Sequence, residues 1–218
     1  TEAEYRTLGR MLAEFSSDHA YSTSVDIIRL LALTGCRRSE IIGLRWDEVD
    51  FEGSCLRLAE SKEGYSIRPV GLPVLEILED RRPYADGEFI FTGQRNSPVF
   101  GAFPHHWDRI FKGSALDGVT AHVLRHSFAS LANDLGFTEV TIAALVGHAK
   151  GSVTSKYIHT LDSALVMAAD TIAGYIDGLL EGIEFKLTTN SLDRSSRKST
   201  LEKFLAAARN SAEEAARA

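Results

Sequence analysis

One stretch of this chain changes period. "SCLRLAESKEGYSIRPVGLP", starting at Ser54, alternates apolar and polar residues in "CLRL" and "YSIRPV" around a turn-like "SKEG". The sequence on either side instead repeats apolar residues at helical spacing. Alternation at period two suits strands, and a period near 3.6 suits helices. A single hairpin inside a helical chain is expected, so the fold class is mainly α with a small antiparallel β-hairpin sheet (α+β).

The helical segments have recognisable ends. "TEAEYRTLGRMLAEF" reads as an amphipathic helix that begins abruptly, as in a fragment of a longer protein. Apolar positions 25, 28, 31 and 32 mark a helix that stops at "TGC". Ser39 is a suitable N-cap for a helix running through "EIIGLRW". Pro73 suits the first turn of "PVLEILEDRR", and "EFIFTG" reads as a short strand or extended stretch. "GAFPHHWDRIFKG" is a helix ending at Gly113. "AHVLRHSFASLANDLG" carries an apolar stripe at 124, 128, 131 and 135, and "TEVTIAALVGH" is capped by Thr138. The stripe returns at 165, 169, 172, 176 and 179. A polar linker follows, "IEFKLTTNSLDRSSRKS", and then a last amphipathic helix, "TLEKFLAAARNSAEEAARA".

Composition narrows the class. With 218 residues, 44% of them hydrophobic, the chain can bury a proper core. No apolar run approaches the roughly 20 residues of a membrane span, and the N-terminus lacks a signal-peptide pattern. Two cysteines, Cys36 and Cys55, form no metal-binding spacing, which suits buried thiols in a reduced, intracellular setting. The formal charge of −6 counts against nucleic-acid binding by the surface as a whole. Seven Lys/Arg face five Asp/Glu from residue 183 onward, which leaves 17 against 25 before it. Any DNA-binding role must use a local basic pocket in an acidic body.

Four segments carry candidate chemistry. In "TAHVLRHSF", His122 and Arg125 are three apart on one helix, and the apolar stripe through Leu124 and Phe128 points elsewhere. The pair joins a titratable imidazole to a forked cation matched to phosphate, on a solvent- or cleft-facing surface. On its own the pattern also suits an ordinary polar helix face. Arg37 precedes a helix N-terminus, where an anion is favoured, although a surface salt bridge to Glu40 fits the same spacing. Lys62 sits at the hairpin tip, where a lysine is ordinarily solvated. Tyr157, in "SKYIHT", follows the Gly-His pair at 147 and 148.

Together, "TGCRRSEIIGLRWDEVD", "SKEGYSIRPVGLP", "HVLRHSFASLANDLG", "LVGH" and "SKYIHT" resemble the tyrosine recombinase family, the phage-integrase-like site-specific DNA recombinases. The resemblance covers that family's catalytic domain, about residues 1–182, and leaves 183–218 as linker and C-terminal helix. The family's N-terminal core-binding domain has no counterpart in this chain. By resemblance Arg37 is the first catalytic arginine, Lys62 the hairpin lysine, and His122 and Arg125 the His-x-x-Arg pair. His148 takes the Gly-His position, where some members have tryptophan, and Tyr157 is the nucleophile.

The resemblance implies attack on a DNA phosphodiester to give a 3′-phosphotyrosyl bond. Arg37 and Arg125 would stabilise charge on the non-bridging oxygens. His122 would accept the tyrosine proton, His148 would add a hydrogen bond, and Lys62 would protonate the leaving 5′-oxygen. The bond energy stays in the phosphotyrosine, so neither metal, ATP nor any other cofactor is expected. Implied partners are a double-stranded DNA recombination site and further protomers, in a tetramer on DNA and with a monomer as the free state. A cytoplasmic, nucleoid-associated protein of bacterial or phage origin, away from membranes, is implied too.

Two other functions share part of this pattern: type IB topoisomerase-like nicking and resealing, and a non-catalytic DNA-binding regulator of recombinase descent. His105, His106 and Trp107 suit either helix packing or a backbone contact to DNA. His126 and His159 read as supporting residues, and Glu40 as either a buttress for Arg37 or a solvated helix position.

Overall fold

The computed structural model describes residues 1–61, 64–93, 99–147 and 163–183. Lys62, His148, Tyr157, His159, the polar linker and the last amphipathic helix of the sequence reading lie outside the described residues.

The described part is mostly helical, with one small sheet. Helix α1 (Glu2–Ser16) is capped by Thr1, whose hydroxyl accepts from the Glu4 N–H, and α2 (His19–Thr34) is capped by Asp18. Helix α2 ends at Gly35, whose φ of 60° places it in the left-handed region that glycine adopts without strain. Helix α3 (Arg38–Ile42) is shorter than its sequence pattern and starts earlier. Ser39 is not its cap; Arg37 holds the N-cap position, and its N–H donates to Glu40 Oε2 at 2.8 Å. Gly43 ends the helix, and "LRW" leaves it because Ile90 N donates to the Leu44 carbonyl and Trp46 N to that of Glu88. "EFIF" thus contributes one antiparallel bridge, Arg45 with Phe89, rather than a strand.

The hairpin forms as expected, from β2 (Cys55–Ser61) and β3 (Gly64–Pro69). A two-residue strand, β1 (Val49–Asp50), adds a third member on the far side of β2. It is too short to show a period in sequence. Helices α4 (Leu72–Arg81), α5 (Phe103–Phe111), α6 (Ala121–Asp134), α7 (Glu139–Val146) and α8 (Ser163–Leu180) complete the described part.

Helix α8 organises the core. Ile172, Ile176 and Leu179 on its stripe are fully buried, and it packs on α1, α2, α4, α6, α7 and β3. By length and composition its 18 residues would serve as a membrane span. Its burial among helices identifies it as the core helix instead. Asp170 on α8 is buried and accepts from the Leu72 N–H at 2.8 Å, so it caps α4, whose own N-cap residue is Gly71. Both cysteines are buried and unpaired, and burial raises the Cys36 thiol and pushes Cys55 to about 12.

Candidate active site

Four segments converge around the turn after α2: Gly35–Glu40, β3, the first two turns of α6 and the C-terminus of α7. Arg125 of α6 joins two of them. Its Nη1 donates to the Gly35 carbonyl and its Nη2 to the Val146 carbonyl, both at 2.7 Å. The side chain is buried, which corrects the expectation of a solvent- or cleft-facing residue beside His122. The α6 stripe through Leu124 and Phe128 faces the core, and Arg125 lies at its edge, where two carbonyls replace lost water. Burial and then repulsion from Arg37 lower its pKa from the ordinary arginine value.

Arg37 and Arg68 share one carboxylate. Glu40 Oε1 meets Arg37 Nη1 and Arg68 Nη2, each at 3.0 Å. Burial pushes the Glu40 carboxyl up, but the Arg37 N–H and the charges of Arg68 and Arg37 outweigh it and hold the group below 4.5. Of the two sequence readings for Glu40, the buried buttress is therefore the observed one. Arg38, beside Arg37, is exposed.

Arg68 is the residue that sequence reasoning missed. It sits on β3 with 1% of its surface exposed, donates to Ser66 Oγ as well as Glu40, and lies against Gly147. The available signal was an arginine between Ile67 and Pro69–Val70, where apolar neighbours leave little room for a solvated charge. Among the described residues near this turn, the guanidinium groups of Arg37, Arg68 and Arg125 gather around the carboxylate of Glu40. Arg125 spends its terminal nitrogens on carbonyls rather than a carboxylate, so its charge stays available to an anion.

His122 is on the first turn of α6 and exposed, with its Nε2 2.9 Å from Nε2 of His126. The structure thus brings Arg37 and Arg125 to one corner with His122 one turn away on α6. Lys62, His148 and Tyr157 lie outside the described residues, although Gly147, next to His148, is placed against Arg68. His106 and Trp107 of α5 are packing residues: His106 Nδ1 meets Ser24 Oγ at 2.8 Å, and Trp107 Nε1 donates to the Val119 carbonyl at 3.2 Å. Among the described residues, no cluster of three or more His, Cys, Asp or Glu could hold a metal.

The family model described as "Phage integrase family" matches residues 1–164. The chain belongs to the phage integrase family. Tyrosine recombinase XerA of Pyrococcus furiosus is 30% identical over 162 residues, which are 72% of this chain and 56% of that protein. Prophage integrase IntF of Escherichia coli K12 is 29% identical over 136 residues, 60% of this chain and 29% of IntF. The chain therefore spans about half or less of the length of these relatives. The crystal structure of XerA recombinase superposes with a TM-score of 0.54 at 25% identity, over 72% of this chain and 60% of the other. The integrase-family fold of these relatives, mainly α with a small antiparallel sheet, is the fold observed.

Proposed function

We propose that residues 1–182 are the catalytic domain of a site-specific DNA recombinase, followed by a linker and docking helix at 183–218. The domain cuts and rejoins double-stranded DNA through a 3′-phosphotyrosyl intermediate at Tyr157. The observation that carries this reading is the corner at Gly35. There, an acidic chain brings the guanidinium groups of Arg37, Arg68 and Arg125 together, and among the described residues Arg125 bonds backbone carbonyls rather than a carboxylate. A phosphodiester is the ligand class that such forked, poorly neutralised donors fit. Membership of a family that includes proteins named tyrosine recombinase and prophage integrase supports the same conclusion.

In this mechanism Arg37 and Arg125 donate to the non-bridging oxygens and offset the charge that builds on phosphorus. Tyr157 Oη attacks, its proton passes to His122, and the phosphorus–O5′ bond breaks. Lys62 protonates the departing 5′-oxygen, and His148 adds a hydrogen bond to phosphate. Glu40 and Arg68 position Arg37 and take no part in proton transfer. Rejoining reverses each step. Pairs of sites are brought together in a tetramer on DNA, in the cytoplasm of a bacterial host.

The test is covalent capture on a nicked DNA site by the full chain. Wild type forms an adduct that survives denaturing electrophoresis and leaves a free 5′-hydroxyl, and Tyr157→Phe binds DNA without forming one. An adduct retained by Tyr157→Phe would overturn the nucleophile. Adducts and relaxation on supercoiled DNA of any sequence would move the assignment to a type IB topoisomerase.

A further inference from the structure

We propose that His122 and His126 form a two-ligand site for a divalent ion of the zinc, nickel or copper class, and that filling it inhibits DNA cleavage. Its inhibitory half rests on the role given to His122 above, and its binding half does not. Both residues lie on one exposed face of α6, one helical turn apart, in "HVLRH". Their rings meet edge to face at 4.3 Å between centroids, and the two Nε2 atoms are 2.9 Å apart.

That separation is close to what a metal requires. With metal–nitrogen bonds of about 2.0–2.1 Å, neighbouring ligands lie about 3.0 Å apart on an octahedral ion and about 3.3 Å apart on a tetrahedral one. A small rotation of each ring, with the donor imidazole shifting to its Nδ1–H tautomer by proton exchange with water, turns the shared hydrogen bond into two Nε2 lone pairs aimed at one point. The helix supplies the spacing, as for other His pairs at i and i+4 that bind zinc. Imidazole pairs favour zinc, nickel and copper over magnesium or calcium, which prefer oxygen.

The surroundings set the character of the site. Among the described residues, no third His, Cys, Asp or Glu joins the pair, so water fills the remaining positions and the ion exchanges readily. Arg125, one turn along α6, points into the core to the Gly35 and Val146 carbonyls and leaves the exposed face to the histidines. The guanidinium cluster disfavours a cation, but solvent and salt screen this at two exposed rings. The site is therefore of moderate affinity. A bound ion occupies the His122 nitrogen and removes it from proton transfer.

The experiment titrates nickel chloride and zinc chloride into the full chain by calorimetry without DNA, for wild type and His126→Gln. One ion should bind per wild-type chain, with affinity falling about tenfold or more in His126→Gln. Circular dichroism checks that this exposed substitution leaves the fold unchanged. In parallel, covalent adduct formation is measured against added metal. Wild type should be inhibited and recover with a chelator, and His126→Gln should need about tenfold more metal for the same inhibition. Absent binding, or binding unchanged by His126→Gln, would overturn the site. Binding through the pair that leaves adduct formation untouched would overturn the inhibitory role. If metal-free wild type forms no adduct, the proposed function fails, and calorimetry still decides the site.

Discussion

Arg68 occupies the space that a side chain at Gly147 would need: a Cβ built on Gly147 overlaps the Arg68 guanidinium. This close approach holds the strand β3, which follows Lys62 in the sequence, against the residue that precedes His148. Gly147 also has a φ of 74°, so glycine is required there on two counts. Gly147→Ala should displace Arg68 from Glu40 and cost about 3 kcal/mol or more, the order of breaking a buried ion pair. Urea unfolding of both proteins measures this, and a loss below about 1 kcal/mol would mean that Arg68 moves aside freely.

Glu40 gives the cluster a pH signature. Its carboxyl is held below 4.5 in the folded chain, so its stabilisation is complete above about that pH and is lost as pH falls through the lowered value. Glu40→Gln should cost about 3 kcal/mol at neutral pH. The gap between wild type and variant should then narrow on acidification. Unfolding midpoints at stepped pH from neutral downward measure it, and a gap that widens in acid contradicts the sign.

Arg125 bonds two carbonyls on different segments, Gly35 and Val146. Arg125→Lys keeps the charge but cannot hold both, which leaves one buried acceptor unpaired at a cost of about 1–3 kcal/mol. Thermal unfolding should register that loss while adduct formation falls much further. Full activity in the lysine variant would show that charge alone suffices.

Asp170 tests a cap supplied from another helix. Asp170→Ala should cost about 1–2 kcal/mol by exposing the Leu72 N–H, and Asp170→Asn should restore most of it through its amide oxygen. Equal losses in both variants would place the contribution of Asp170 in its charge.

Lys62→Ala should be slow on ordinary DNA and largely rescued when sulfur replaces the bridging 5′-oxygen, because a thiolate leaves without a proton. Single-turnover cleavage of the two substrates reports it. Equal defects on both would give Lys62 a binding role in place of proton donation.

Much of the fold was legible because period is a property of near neighbours. The stripe of α6 and that of α8 face the core as their spacing required, and the alternation around "SKEG" became β2 and β3. The end of α3 was not legible. "EIIGLRW" looks helical until Leu44 and Trp46 find backbone partners at Ile90 and Glu88, a segment the local pattern does not contain.

The sequence by itself determined the types of the longer elements, the order of the five motifs and the family to which the chain belongs. It also placed Arg37 at a helix N-terminus and His122 one turn before Arg125. Only the tertiary structure decided that Arg125 is buried, that Glu40 bridges two arginines and that an aspartate on α8 caps α4. Those partners are 90, 28 and 98 residues apart along the chain. Hydrophobic spacing acts over one or two turns, so sequence carries it directly. A charge can leave water only where the whole fold delivers its partners, and for Arg68 those partners come from α3 and its own strand, beneath a glycine at the end of α7.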